Sequence, residues 1–322
     1  MTGTGGALVA APGCGLSLDE LQAAAPGLAV HAVQELSLAA CEGAGVGLED
    51  VGAVLGASPR DDLAFLPALR WVHSAAAGVD GWLESGSVPD GAVLTSAVGN
   101  GAIPLAEHAL MLMLMLSREA PRWARAQQRH EWDRFTHGEL AGSTLGIVGY
   151  GNSGQDLARK AAACHMWVQA LRHTPSGPSD GDVRLLYGPD GLRELLATSD
   201  HVVVTAPLTP ETRGLIGADE LALLQPGAFL VVISRGGIVD EDALVDALRS
   251  GRLAGAGLDA HAHEPLAPGS PLWELPNVVV TPHNGATTRE TAQRGREIAL
   301  DNVARWAQGR PLRNVVDPRR GY

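Results

Sequence analysis

An α/β fold with two doubly wound parallel sheets is what the 322-residue sequence predicts, and three observations carry it. Short β-branched runs alternate with helical patterns along the chain, the mark of parallel strands joined by crossover helices. A glycine-rich loop stands directly between one such strand and a helix. The alternation is interrupted once, by a long apolar helical stretch that separates two strand series.

The first series comprises "ALVAA" near Leu8, "GLAVHAV" near Val30, "VGAVLGA" near Val54, "LRWVHSA" near Val72 and "AVLTSA" near Leu94. Each is rich in Val, Leu or Ala and closed by turn residues. A helix is then expected from Ile103 to about Gln128. Its run Ala109–Leu116, "ALMLMLML", is too short to span a bilayer and reads as a helix buried all round, at a domain or subunit interface. The second series is "TLGIVGY", "MWVQALR", "HVVVTAP", "AFLVVIS", "AGAGLDA" and "NVVVTPH", with helical patterns such as Gln155–Ala163 and Asp240–Ser250 between strands. The final helical segment, from about Thr287, is expected to pack back on the first domain. The domains therefore fall at 1–98 plus 285–322 and at 99–284.

Composition narrows the function. An apolar content of 45% supports a real core. The formal net charge of -12 argues against a general nucleic-acid or membrane-surface partner. The basic residues are nearly all Arg, Lys160 being the only Lys. Cys14, Cys41 and Cys164 are scattered, without a CxxC pair, as expected of reduced thiols in a cytoplasmic protein. Met1–Gly15 lacks the basic start of a secretory leader.

The loop is "TLGIVGYGNSG", with Gly149, Gly151, Asn152, Ser153 and Gly154 between strand and helix. Gly149 permits a tight turn, Gly151 lets backbone approach a pyrophosphate, and Gly154 lets helix and strand close up. The following helix start offers free N–H groups to phosphate. This is the pattern of a Rossmann-type dinucleotide site. An acidic residue about 20 positions on would grip the ribose of NAD, whereas an Arg accommodates the 2′-phosphate of NADP. Arg172 lies 21 positions after Gly151, and no Asp or Glu stands between Asp156 and Asp180. NADP(H) is thus the preferred cofactor, with NAD(H) also admitted. His173 and Thr174 are further donors to the same phosphate.

Downstream, "TAPLTPETRGLIG", "ISRGGIVDEDAL", "LDAHAHEPL" and "TPHNGATT" follow in order. With the glycine loop they resemble the D-isomer-specific 2-hydroxyacid dehydrogenase family, which includes glyoxylate/hydroxypyruvate reductases and phosphoglycerate dehydrogenases. The resemblance covers roughly residues 69–290. It implies a Rossmann-type cofactor domain inserted in a flavodoxin-like substrate domain, and a homodimer joined through the long helix. It implies three catalytic residues, Arg235, Glu264 and His283. It extends the cofactor site to Thr205, Ala206, Pro207, Thr212, Ile233, Ser234, Asp259 and Gly285. It also assigns the loop Ala76, Ala77, Gly78 and Val79 to the substrate carboxylate as an anion nest, together with Arg235 and His283.

The implied chemistry is coherent. A 2-oxo acid needs its carboxylate held and its ketone polarised, and a guanidinium can do both. Hydride transfer builds charge on the ketone oxygen, and His is the natural proton donor near neutral pH. A neighbouring carboxylate fixes the ring's tautomer and favours its protonated form. The expectation is reduction of a 2-oxo acid to a D-2-hydroxy acid.

The sequence departs from the family pattern at two places. Val232 stands where Asn is frequent, and His261 replaces an aromatic residue. His261 and His263 beside Glu264 raise the thought of a metal, but no further ligand cluster accompanies them, and none is expected. Trp82 reads as core in preference to pocket wall, and Asn100 as part of a helix-cap region. Phosphite or formate oxidation and a dinucleotide-sensing corepressor are the alternatives. Formate enzymes carry Gln at the place of Glu264, which weakens that one.

Overall fold

The computed structural model describes residues 6–174 and 182–321. Residues 1–5 of the segment read for a leader lie outside it. The chain forms two compact units, one running up to Asn100 and resuming at Thr288, the other continuous from Gly101 to Thr287.

The first unit contains β1 (Ala7–Ala10), α1 (Leu18–Ala24), β2 (Val30–Ala32), α2 (Leu38–Gly43), β3 (Val51–Leu55), β4 (Trp71–Ser74), α3 (Asp80–Ser85) and β5 (Val93–Ser96). Its five strands are all parallel in the order β2-β1-β3-β4-β5, the flavodoxin-like order. Val9, Val54 and Val72 pack on one face of the sheet, Leu8, Leu55 and Trp71 on the other. Alternate residues of each strand thus enter opposite cores, which is why the strands read as continuous apolar runs. Trp82 is buried in the first of these cores.

The second unit begins with α4 (Ala102–Ser117) and α5 (Ala120–Gln128). The expected single helix from Ile103 to Gln128 is therefore broken. Glu119 adopts a left-handed conformation (φ 49°), and Pro121 opens α5. Pro121 lacks the N–H that a continuing helix would donate to the Ser117 carbonyl, and its ring would crowd that carbonyl. Nor is the apolar run buried all round within the chain, since Met111 and Leu114 are about 40% exposed.

There follow β6 (Thr144–Val148), α6 (Asn152–Ala163), β7 (Trp167–Leu171), β8 (Arg184–Leu186), α7 (Gly188–Thr198), β9 (His201–Val204), α8 (Ala218–Leu223), β10 (Phe229–Val232), α9 (Glu241–Arg249), β11 (Gly255–Leu258) and β12 (Val278–Val280). All seven strands are parallel in the order β12-β11-β10-β9-β6-β7-β8. Val202 and Val204 face one core and Val203 the other, so helices cover both faces. The three-residue β8 is absent from the strands expected from sequence.

The last helix, α10 (Arg289–Ala307), belongs to the first unit. Its Val303 lies in the core with Leu8 and Leu21, and Arg296 pairs with Glu20 on α1. Beyond it, Val315 bridges Thr95 on β5.

Candidate active site

Because every strand of the second unit is parallel, every loop after a strand emerges at one edge of the sheet. β6 and β9 are neighbours there, and the chain winds away from them in opposite directions. Such a switch point is where doubly wound sheets bind ligands. All the expected cofactor and catalytic residues lie in the loops of this edge or at the first turns of the helices that follow.

The loop after β6 is shaped by its glycines. Gly149 has φ 102°, and a side chain there would meet the Ala206 main-chain nitrogen at 2.5 Å. A Cβ on Gly154 would lie 2.4 Å from the Gly149 carbonyl oxygen, so α6 can approach β6 only with glycine. Beside Gly151 there is open space. No side chain caps α6 and its first turn has no acid. By contrast, Asp240 caps α9 by accepting from the Ala243 N–H. The α6 start, including Asn152 and Ser153, thus keeps free amides and a positive dipole end.

The loop after β9 supports the glycine turn. Thr205 donates its hydroxyl to the Gly149 carbonyl. Thr212 donates to the Pro207 carbonyl (2.7 Å) and accepts from the Thr209 N–H (2.8 Å). Both threonine side chains are occupied in holding backbone. Ile233 is buried, and the Ser234 hydroxyl is buried without a hydrogen-bond partner among the described residues. Arg172 follows β7, its main-chain N–H donating to Leu186 on β8. Its Nη1 is likewise buried without a partner among the described residues. His173 is exposed, with Nδ1 3.4 Å from the Thr174 hydroxyl. Two orphaned polar groups, the space at Gly151 and an uncapped helix start together suit a phosphorylated dinucleotide.

His283, after β12, directs Nδ1 at both oxygens of Glu264, at 2.7 and 2.9 Å. A carboxylate only accepts, so Nδ1 carries a proton and the ring is held by its far side. Both side chains are 37% exposed, which leaves the pair open to a reactant. Glu264 Oε1 also accepts from the His261 N–H (2.9 Å). His283 has φ 51°. Arg235 stands after β10, with Nη1 donating to the Ser234 carbonyl (2.9 Å). The three residues thus come from the ends of three adjacent strands, β10, β11 and β12.

Asp259 is fully buried. Its carboxylate accepts from the Thr281 hydroxyl (2.6 Å) and from the N–H groups of Asn284 (3.1 Å) and Gly285 (2.9 Å). His108 on α4 lies 3.0 Å from the Thr281 hydroxyl and 3.5 Å from Asp259. This carboxylate therefore holds the loop that carries His283. Gly285 is required beside it, since a Cβ there would meet Asp259 Oδ2 at 2.8 Å. Sequence reasoning missed Thr281, His108 and Glu241. A signal did exist for His108, a polar residue entering an otherwise apolar helix face.

In the first unit, Ala76–Val79 follow β4 at the corresponding edge of that sheet. Val79 is buried and its carbonyl accepts from Trp82 and Leu83, starting α3. Ala76 accepts from the Ala97 N–H. Asn100 is largely buried, but α4 is started by Gly101 without a side-chain cap. His261 is buried, whereas His263 is exposed. Among the described residues no group of three or more His, Cys, Asp or Glu could hold a metal ion.

Residues 110–285 match the model of the D-isomer specific 2-hydroxyacid dehydrogenase NAD-binding domain, more than half of the chain. The chain belongs to the D-isomer specific 2-hydroxyacid dehydrogenase family. It is 36% identical over 251 residues to a D-3-phosphoglycerate dehydrogenase of Archaeoglobus fulgidus, a match covering 77% of this chain and 47% of that protein. The chain thus spans about half the length of the phosphoglycerate dehydrogenases it matches. Among solved structures, a D-isomer specific 2-hydroxyacid dehydrogenase from Xanthobacter autotrophicus Py2, in complex with NADPH and MES, superposes with TM-score 0.84 at 35% identity, covering 99% of this chain and 100% of that one. An NADPH-dependent glyoxylate/hydroxypyruvate reductase from Sinorhizobium meliloti, in complex with NADP and sulfate, does so with TM-score 0.81 at 31% identity, covering 98% and 100%.

Proposed function

We propose that this chain is an NADPH-preferring reductase that converts a small 2-oxo acid to the D-2-hydroxy acid. The single observation that carries this is the bidentate pairing of His283 Nδ1 with Glu264, beside a glycine loop on the same sheet edge. With Nδ1 protonated and tied to the carboxylate, Nε2 is left to face the reactant. His283, protonated at both nitrogens, gives the Nε2 proton to the ketone oxygen as it gains charge, and Glu264 stabilises the imidazolium beforehand. Arg235 holds the carboxylate and polarises the ketone. Ala76, Ala77, Gly78 and Val79 are assigned to carboxylate binding by the family pattern alone.

When bound, the nicotinamide supplies the hydride. Gly149, Gly151, Asn152, Ser153 and Gly154 receive its pyrophosphate, and Thr205, Ala206, Pro207 and Thr212 shape that receptor. Ile233, Ser234, Asp259 and Gly285 border the nicotinamide end, Asp259 acting through the loop it holds. Arg172, with His173 and Thr174, takes the 2′-phosphate. The NADPH complex of the Xanthobacter relative and the NADP complex of the Sinorhizobium relative support this choice. The exposed Ile103, Met111 and Leu114 on α4 support a homodimer, and the same reading takes the protein to be cytoplasmic.

The test is a panel of glyoxylate, hydroxypyruvate and phenylpyruvate with NADPH and then NADH, followed by absorbance, with phosphite and NADP as the competing arm. Turnover of a 2-oxo acid with NADPH is expected, abolished in His283→Ala with NADPH binding retained. Full turnover in His283→Ala would remove the proton-donor role.

A further inference from the structure

We propose that His261 is a positioning residue that clamps both members of the His283–Glu264 pair, a role that rests on the reductase reading above. Its main-chain N–H donates to Glu264 Oε1 at 2.9 Å. Its ring Nε2 lies 3.2 Å from the carbonyl oxygen of Thr281, two residues before His283. A carbonyl oxygen only accepts, so the ring carries a proton on Nε2 and donates it. Thr281 is thereby held at two points, its carbonyl by His261 and its hydroxyl by Asp259.

The chain needs that grip. His283 sits at φ 51°, in the left-handed region that non-glycine residues seldom occupy, although histidine enters it more readily than most. Such a conformation persists when its surroundings over-determine it. Pro282 fixes the approach, and the anchors on Thr281 fix where it starts. The same residue reaches the third catalytic group, since the His261 carbonyl packs against Gly236, the neighbour of Arg235, where a Cβ would be 1.8 Å away.

The side chain is 3% exposed and acts through other groups. Its second nitrogen, Nδ1, is buried without a hydrogen-bond partner among the described residues, 3.9 Å from Glu241 Oε1, which accepts from the Ala262 N–H (2.6 Å). Phenylalanine at this place would fill the volume but could not donate to Thr281. The histidine thus adds a fastening specific to this chain's version of the site.

The experiment compares His261→Phe with His261→Gln, whose amide nitrogen can reach the place of Nε2. It measures kcat and KM for glyoxylate with NADPH, NADPH affinity by fluorescence, and the titration of the His283 ring by nitrogen-15 NMR in the resting protein. In His261→Phe, kcat is expected to fall by about tenfold while KM and NADPH affinity change by less than about twofold, because misplacement of a proton donor acts on the chemical step. The His283 titration midpoint shifts in the same variant, and His261→Gln recovers most of both effects. Unchanged kcat and titration in His261→Phe, or an equal loss in His261→Gln, would overturn the clamp. Should His261→Phe not fold, His261→Met, apolar and without a donor, takes its place. If the wild-type protein reduces no 2-oxo acid, the reductase reading fails, while the NMR comparison still decides the clamp.

Discussion

Arg172 keeps one guanidinium nitrogen buried and without a partner among the described residues. A buried donor left unmade is costly, and an anion completing it recovers that cost. Arg172→Asp is therefore expected to raise KM for NADPH by about 10- to 100-fold, the worth of a charge-assisted bond, and to leave NADH nearly unaffected. Equal losses with both cofactors, measured by initial rates, would separate Arg172 from the 2′-phosphate. This residue was legible because its distance from the glycine loop is set by one helix and one strand. The occupancy of Asp259 was not, since its partners Thr281, Asn284, Gly285 and His108 arrive from elements far apart in sequence. Likewise the pairing of Glu264 with His283 was implied by family pattern, whereas the grip of His261 on Thr281 needed coordinates.

At the scale of elements, the loops after β10 and β11 are packed backbone to backbone. Gly236 touches the His261 carbonyl so closely that even a methyl group would collide with main chain. Gly236→Ala is expected to cost about 1–3 kcal/mol of stability in denaturant titration and to depress turnover, because the loop bearing Arg235 must move away. A variant with wild-type midpoint and kcat would refute that packing argument. Strands were readable from sequence wherever both faces are buried, as in "HVVV" and "FLVV". β8 was not, since it is three residues long and begins with the exposed Arg184. The break at Glu119 carried its signal in Pro121, but a proline in the first turn of a new helix and one that kinks an old helix look alike in sequence.

For the molecule as a whole, each unit contains a histidine that burial keeps uncharged. Burial pushes His73 in the first unit and His201 in the second down to about 4 from the ordinary 6.5. The folded state thus binds a proton less readily than the unfolded chain. Stability from this source is complete above about pH 6.5, and is lost as pH falls toward 4. Each group accounts for at most about 3 kcal/mol, a tenfold weaker hold on the proton being worth about 1.4 kcal/mol. Urea midpoints between about pH 7 and about pH 4 should fall steeply, and His73→Gln should flatten the slope; an unaltered slope would count against His73.

The division of the chain has a further consequence, in time. The unit from Gly101 to Thr287 is continuous, so everything it needs has left the ribosome once Thr287 has. The other unit is begun first but must wait for α10 and the strand-edge segment at Val315. The unit begun earlier is therefore the later of the two to close its core, and until α10 arrives its sheet must be kept from other partners by something else.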